Sequence, residues 1–428
     1  MIGGASQNVI ALTDSIFLYH YDQLMFAAMG FVGVYYLIIA AIGYGFSRGG
    51  QILIARKMGE KNKVAIGQIM HMMLIFELTM ALVMFLFMRY GSDWLFSRLA
   101  NSNTIIKHSL AYIKYRSIGV FFSYVGVVLV SLYAGVARTS IIAYQTIVLI
   151  VINLILNYGF IFGHFGLPEM GIAGAGLAST IAEIIAVSVF CIFLFWDNKK
   201  YEYHLMELHP LNWVIIKQII QVSVPFVIQS IVGLGSSFLL FSWIENMGEK
   251  QLAISNLGRV VYLILSVPIW GYSAGIQTLV SGYIGKSRVK AVIPIIWKTA
   301  RLSLITTSLI AVPFLLFPEY LFYPILGADN MQLVYDAKPI FLIILVLLTM
   351  FSVATIFFNG LSGTGASFQA LGIQTVSTIA YLVCAFVFIK IKHLSLGWAW
   401  GSEMIYWALI LITSLYALYG HRWKGIFD

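Results

Sequence analysis

Charge is scarce in this chain. Asp, Glu, Lys and Arg together supply 10% of its 428 residues, where an ordinary globular domain carries roughly 25%. Apolar residues make up 60%, and the mean hydropathy is +0.90. So little polar surface cannot coat a water-soluble particle of this length, which excludes soluble enzymes, disordered tails and secreted disulfide scaffolds. Cysteine is nearly absent as well. Cys191 and Cys384 lie in separate apolar runs and read as lipid-facing or packing residues, neither a disulfide nor metal ligands. The eight histidines fall mostly near the ends of apolar runs, without HExxH or similar spacing, so a structural metal has no support. A phosphate-binding P-loop and a glycine-rich dinucleotide fingerprint are missing, and neither a cofactor nor an ATP-driven step is expected. Clustered His, Asp or Cys at catalytic spacing is missing too, which argues against a membrane-embedded enzyme.

What is present is long apolar sequence. A membrane-crossing helix takes about 20 apolar residues and a short connection perhaps a dozen more, so the length accommodates about twelve spans. The runs, 340–358 for example, are continuous rather than alternating, which selects helices over a β-barrel. The expected spans are 1–18, 25–55, 64–89, 108–135, 139–163 and 171–196, then 213–243, 252–282, 291–317, 335–360, 366–390 and 395–419. The fold class is therefore all-α and integral to the membrane, in two six-helix halves. These are 1–196 and 213–428, joined by a cytoplasmic linker, 197–212, that holds the longest polar stretch (197–210, DNKKYEYHLMELHP).

The formal net charge of +9 does not point to nucleic acid, because the basic residues gather in short connections. The clusters are Arg56, Lys57, Lys61 and Lys63; Lys199 and Lys200; Lys286, Arg288 and Lys290; and Arg422 and Lys424. Each follows an even-numbered span, which places those connections and the C-terminus in the cytoplasm. Arg89, Arg98, Lys390 and Lys392 lie on the other side.

The halves are related. Gly59 and Gly285 differ by 226 positions, and the same offset pairs Val34, Tyr36, Leu37 and Ile38 with Val260, Tyr262, Leu263 and Ile264. It also pairs Gly45, Ser47, Gly49, Gln51 and Leu53 with Gly271, Ser273, Gly275, Gln277 and Leu279. With Ala65 and Ala291, eleven positions agree without a gap. An internal repeat of one orientation has its axis along the membrane normal, the geometry in which two bundles rock to give alternating access. The offset also sets the counterparts of Trp213 and Pro225 upstream of Met1. The first helix is therefore expected to be N-terminally truncated, with the natural start upstream or the chain shortened.

Ionisable groups inside spans carry the most information. An Asp at a helix centre costs roughly 2.5–3.5 kcal/mol on insertion scales, so it persists with a partner or a purpose. Asp14 is the foremost candidate, and Gln7 lies two turns earlier on the same face. Such a carboxyl can take a proton from one side and release it to the other; the bland alternative is a solvated Asp14 near the outer end of a short helix. Asn153 and Asn157, at i and i+4, can hold a carboxyl, a cation or water, or can act as helix–helix glue. Ser179, Thr180 and Glu183 follow a run of small residues (171–178) whose glycines permit close helix approach. Glu183 either joins the same pocket or satisfies a neighbouring helix. Glu77 and Glu403 have no polar companion at helical spacing, and Arg48 reads as snorkelling towards the cytoplasm. Tyr35, Tyr36, Tyr44 and Phe46, with Tyr262, Trp270 and Tyr272 in the repeat, either line a cavity for flat cations or form interfacial belts.

Three segments, 45–62 (GFSRGGQILIARKMGEKN), 153–163 (NLILNYGFIFG) and 171–179 (GIAGAGLAS), resemble in order the signatures of the multidrug and toxic compound extrusion (MATE) transporters. The similarity spans essentially the whole chain. It implies a V-shaped, twelve-helix transporter in two pseudo-symmetric lobes, a monomer in the bacterial inner membrane. Family members export cationic amphipathic compounds in exchange for protons or sodium ions by alternating access. Within the branch that has an N-lobe cation site, Asp14 is similar to the essential first-helix aspartate and Asn153 to the fifth-helix asparagine. A transported sodium ion would then sit at Asp14. Asn157 stands where many of that branch carry a second aspartate. Gln229 stands in place of a seventh-helix glutamate used by the other branch, and 359–365 (NGLSGTG) lacks that branch's tenth-helix acid, which leaves the C-lobe without its usual carboxylates. The substrate cavity is expected to include Tyr35, Tyr36, Gln229 and Tyr262. The alternative function is a flippase for a lipid-linked oligosaccharide precursor, which would need several basic residues in the cavity; the spans offer Arg48, Arg259 and a few near-terminal lysines.

Overall fold

In hydrocarbon no water can satisfy a backbone N–H or C=O, so each crossing segment must bond to itself. A computed structural model describes residues 6–100, 102–207, 209–319, 331–420 and 423, and every regular element among these described residues is helical. The first half holds α1 (Ser6–Tyr21), α2 (Gln23–Gly59), α3 (Lys63–Leu86), α4 (Ser92–Leu99), α5 (Asn103–Gly135), α6 (Thr139–Phe162) and α7 (Ile172–Tyr201). The second holds α8 (Trp213–Glu245), α9 (Glu249–Leu265), α10 (Val267–Gly285), α11 (Val292–Leu316), α12 (Met331–Gly363), α13 (Ser367–Phe386) and α14 (Leu396–Tyr419). Arg422 and Lys424 lie outside the described residues, as does the side chain of Gln7 on the first turn of α1.

Among the described residues, ten helices are long and apolar enough to cross a membrane, α3 and α4 counting together, and eleven when a bent pair counts as one span. The first expected span is represented by α1, whose 16 residues reach about 24 Å. The expected span 252–282 is not one rod. It breaks into α9 and α10, which meet at 45° around Ser266. Pro268, in the first turn of α10, has no N–H to continue the preceding helix, so the chain restarts instead.

Short polar connections fix the turns between rods. Asp22 accepts the Met25 N–H at 2.8 Å to start α2, and Asn62 accepts the Ala65 N–H at 3.0 Å to start α3. Each supplies a side-chain oxygen to one of the orphan amides of a helix N-terminus. Gly163, at φ 74°, ends α6 in the left-handed conformation that a residue without Cβ adopts freely.

The chain divides into two compact units, Ile2–Val227 and Ile228–Asp428, so that α8 gives its first part to one and the remainder to the other. In the first unit α5 packs against α2, α3 and α7, while α1 packs on α2 and α6. In the second, α12 packs against α9, α10, α11 and α14. These two are the inner rods: 61% of the most apolar stretch of each is buried, against 28–39% in the other long helices. Each is the fourth span of its half, so the repeat seen in the sequence reappears in the packing. Among the described cysteines, Cys191 is exposed and Cys384 partly buried, both unpaired.

Candidate functional site

The polar centre of the first unit depends on how closely α7 approaches its neighbours. A Cβ on Gly174 would meet the Phe160 carbonyl oxygen at 2.4 Å, and one on Gly176 would meet that of Tyr112 at 2.7 Å. Only glycine lets the three backbones come this near, and Ser179 thereby reaches the acid on α1. Asp14 is 0% exposed. Its Oδ1 accepts from Asn157 Nδ2 at 2.7 Å and, at the limit of reach, from Asn153 Nδ2 at 3.5 Å. The Ser179 hydroxyl lies 3.0 Å from Oδ2 and 3.3 Å from Oδ1, and the Tyr112 hydroxyl donates to Oδ2 at 3.2 Å.

The donors are themselves linked. Asn153 Nδ2 gives to Ser179 Oγ at 3.0 Å, and Asn157 Nδ2 to Asn153 Oδ1 at 3.3 Å. Four helices thus converge on one carboxylate out of contact with water. The buried Oδ1 of Asn157 has no hydrogen-bond partner among the described residues, so an acceptor stands unused beside the acid. Hydroxyl protons rotate and the amide can turn over, so the same side chains can surround an ionised or a protonated carboxyl. The oxygens of Asp14, Ser179 and the two amides are also the donor type that hard cations take. No group of three or more His, Cys, Asp or Glu suited to a metal occurs among the described residues.

Thr180 and Glu183, on the same helix as Ser179, go elsewhere. Thr180 donates to the carbonyls of Gly176 (2.9 Å) and Tyr115 (3.2 Å). Glu183 takes a two-pronged pair of bonds from Arg116 at 2.6 and 2.8 Å, and both side chains are almost wholly buried. Tyr36 lies over the guanidinium, 4.0 Å from its carbon to the ring centre. A narrow crevice between α1, α2 and α5, lined by Ile10, Met29, Tyr36, Tyr112 and Arg116, adjoins both groups.

Arg116 and Tyr112 went unnoticed in the sequence. The signal was available for one of them: Arg116 is an arginine inside the expected span 108–135, where a charge demands a partner. It also amends the count of basic residues used against a flippase. Arg116 nevertheless offers no uncompensated charge to a lipid-linked anion, because Glu183 already neutralises it. Tyr112, one turn before Arg116 on α5, belongs to no motif. Glu77 does have a polar companion. Ser47, from α2, donates to it at 3.1 Å, and a partner on another helix leaves no trace at helical spacing.

The residues expected to line a cavity are spread over both units. In the first, Tyr35 bonds Ser92 Oγ at 2.8 Å and Tyr36 covers Arg116. In the second, the Gln229 carbonyl accepts from Gln374 Nε2 at 3.0 Å, while the buried Nε2 of Gln229 has no partner among the described residues. Tyr262 stacks on Phe351 at 5.8 Å.

Residues 1–159 and 225–388 match the MatE family model. The chain belongs to the MatE family. Members of this family are multidrug efflux transporters, and this MatE protein is a multi-pass membrane transporter with bacterial relatives. It is 28% identical over 401 residues to the probable multidrug resistance protein NorM of Thermotoga maritima, covering 92% of this chain and 84% of that one. The fold of this MatE protein is shared with a multidrug resistance MATE transporter of the MOP superfamily in an outward-facing conformation: TM-score 0.85, 20% identity, covering 99% of this chain and 93% of that chain. A MOP superfamily transporter from Pyrococcus furiosus also matches, at TM-score 0.85 and 19% identity over 98% of this chain and 94% of that one.

Proposed function

We propose that this MatE protein exports cationic amphipathic compounds across a bacterial inner membrane, C-terminus in the cytoplasm, in exchange for protons or sodium ions. The lobes 1–196 and 213–428, joined by the linker 197–212, would rock to open alternately to either side. One observation carries the reading. Asp14 is sealed from water yet ringed by side chains that can serve either of its charge states. A buried carboxylate is costly unless compensated; the groups bonded to Asp14 are all dipoles, and the nearby Arg116 is already paired with Glu183.

Occupation of Asp14 by a proton or a sodium ion removes the net charge and changes which donors and acceptors the pocket requires. Asn153, Asn157, Ser179 and Tyr112 come from α6, α7 and α5, so a change in their hydrogen bonding is felt by three rods at once. That is the coupling: ion binding alters the packing preference of the first lobe, and release to the other side restores it.

The test is efflux of a fluorescent organic cation from cells or vesicles carrying the full chain, with the proton and sodium gradients collapsed separately. Asp14→Asn keeps the shape and removes the titrating charge, and gradient-driven efflux should fall to the background of empty vesicles. Transport by Asp14→Asn at the parental rate, under the same gradient, would overturn the coupling role.

A further inference from the structure

The second unit holds an intramembrane acid that the coupling scheme does not employ. Glu403 on α14 is only partly buried, Tyr406 and Trp407 stand one turn further along the same helix face, and the ring of Tyr381 on α13 lies 5.6 Å from that of Tyr406. The aromatic wall continues from there. Trp407 is 4.7 Å from Tyr406 and 4.3 Å from Phe351 between ring centres, and Phe351 stacks on Tyr262. Among the described residues, no hydrogen bond and no ion pair reaches Glu403.

The internal repeat makes that vacancy of charge informative. Tyr262 is the repeat mate of Tyr36. In the first unit the ring of Tyr36 meets the Arg116 guanidinium of the inner helix α5, and Glu183 balances it. In the second unit the ring of Tyr262 meets Phe351 of the inner helix α12 instead. An acid and its tyrosine are present in both units, but among the described residues a cation lies over that tyrosine only in the first; Arg259, one turn before Tyr262 on α9, lies over Phe241 instead. A carboxylate among aromatic faces, without a partner, is a poor structural element and a good receptor, because aromatic faces and an anion both attract positive charge.

We propose that Glu403, with Tyr262, Tyr406 and Trp407, forms a binding subsite for an organic cation, the ligand supplying the positive charge that Arg116 supplies in the first unit. The chemical class is an aromatic or alkyl phosphonium or ammonium, whose apolar groups lie on the rings while its charge meets the carboxylate. The subsite gives the second half of the chain a carboxylate from α14, where Gln229 and residues 359–365 offer none. It rests on the export of cations proposed above and adds where in the molecule one is held.

The experiment is equilibrium binding of tetraphenylphosphonium to the purified full chain in detergent, followed by tryptophan fluorescence and by radiolabel. Glu403→Gln should weaken binding by about tenfold or more, since a desolvated charge loses its partner. Triphenylphosphine oxide, similar in shape but neutral, should bind parent and variant alike. Glu403→Asp should restore part of the loss, and Trp407→Phe should remove part of the ligand-induced fluorescence change. Glu403→Gln that elutes and unfolds like the parent, yet binds the phosphonium within about twofold of it, would overturn the subsite. If that variant does not fold, Tyr262→Leu and Tyr406→Leu replace it, and undiminished binding by both has the same meaning. Failure of the parent to bind any organic cation would sink the export reading as well. Parental efflux by Glu403→Gln with unchanged affinity would sink the subsite alone.

Discussion

The Arg116–Glu183 pair allows a prediction whose sign, not merely its size, is at stake. The Arg116 side chain is 0% exposed and that of Glu183 4%, with two N–H···O bonds of 2.6 and 2.8 Å between them. Replacing either partner alone, Arg116→Met or Glu183→Leu, strands a charge in the bundle and should cost about 3–5 kcal/mol. Replacing both removes the desolvation burden together with the attraction, and such exchanges range from neutral to about 1–4 kcal/mol stabilising. Loss of the Tyr36 stacking on the guanidinium returns about 2 kcal/mol of destabilisation in either variant lacking Arg116. The double variant should therefore be more stable than either single one. Unfolding in mixed micelles, followed by circular dichroism across the four proteins, measures the cycle. A double variant that loses the sum of the two single losses would refute the claim that the pair is a mutually neutralising unit.

The approach of α7 is tested by Gly176→Ala. The new methyl would sit 2.7 Å from the Tyr112 carbonyl oxygen, so α7 must retreat; overpacking of this kind costs about 1–3 kcal/mol. Ser179 moves with it, and gradient-driven efflux per folded molecule should fall as well. Gly30→Ala, where a Cβ meets nothing within 4 Å, is the control, and an equal effect there would disprove the steric account. A pH effect is expected at the end of α11. Glu319, held below the ordinary carboxylate value by its own backbone N–H and by Lys338 at 3.1 Å, stabilises the folded chain above its unfolded-state value. That contribution disappears as pH falls through the lowered folded value. Thermal midpoints of Glu319→Gln and parent should then differ slightly at neutral pH in low salt and converge in acid or in high salt; a difference growing in acid would contradict the sign.

Much of the architecture was legible in the sequence because hydropathy belongs to one segment at a time. The expected runs 25–55, 139–163 and 395–419 each fall on a single helix, α2, α6 and α14. The 45° break between α9 and α10 was marked only by Pro268, and proline alone does not say whether a helix bends or restarts. Asp14, Asn153, Asn157 and Ser179 could be named in advance, since each is a polar side chain in an apolar run, where such groups are expensive. Their convergence within 3.5 Å could not, because the sequence assigns them to three separate rods. The same holds for Glu183. Its spacing from Ser179 suits one helix face, yet it turns to Arg116 on α5 and leaves Asp14 alone.

Composition and periodicity by themselves determined that the chain crosses a membrane as helices in two related halves, because a lipid interior forces every backbone bond to close within its own segment. Tertiary structure decided which polar groups meet: the enclosed carboxyl with its amides and hydroxyls, the matched arginine and glutamate beside it, and the unmatched Glu403 in the other half. Partners on different helices are separated in sequence by 67 residues for one pair and 143 for another, and only packing brings such groups within a few ångströms.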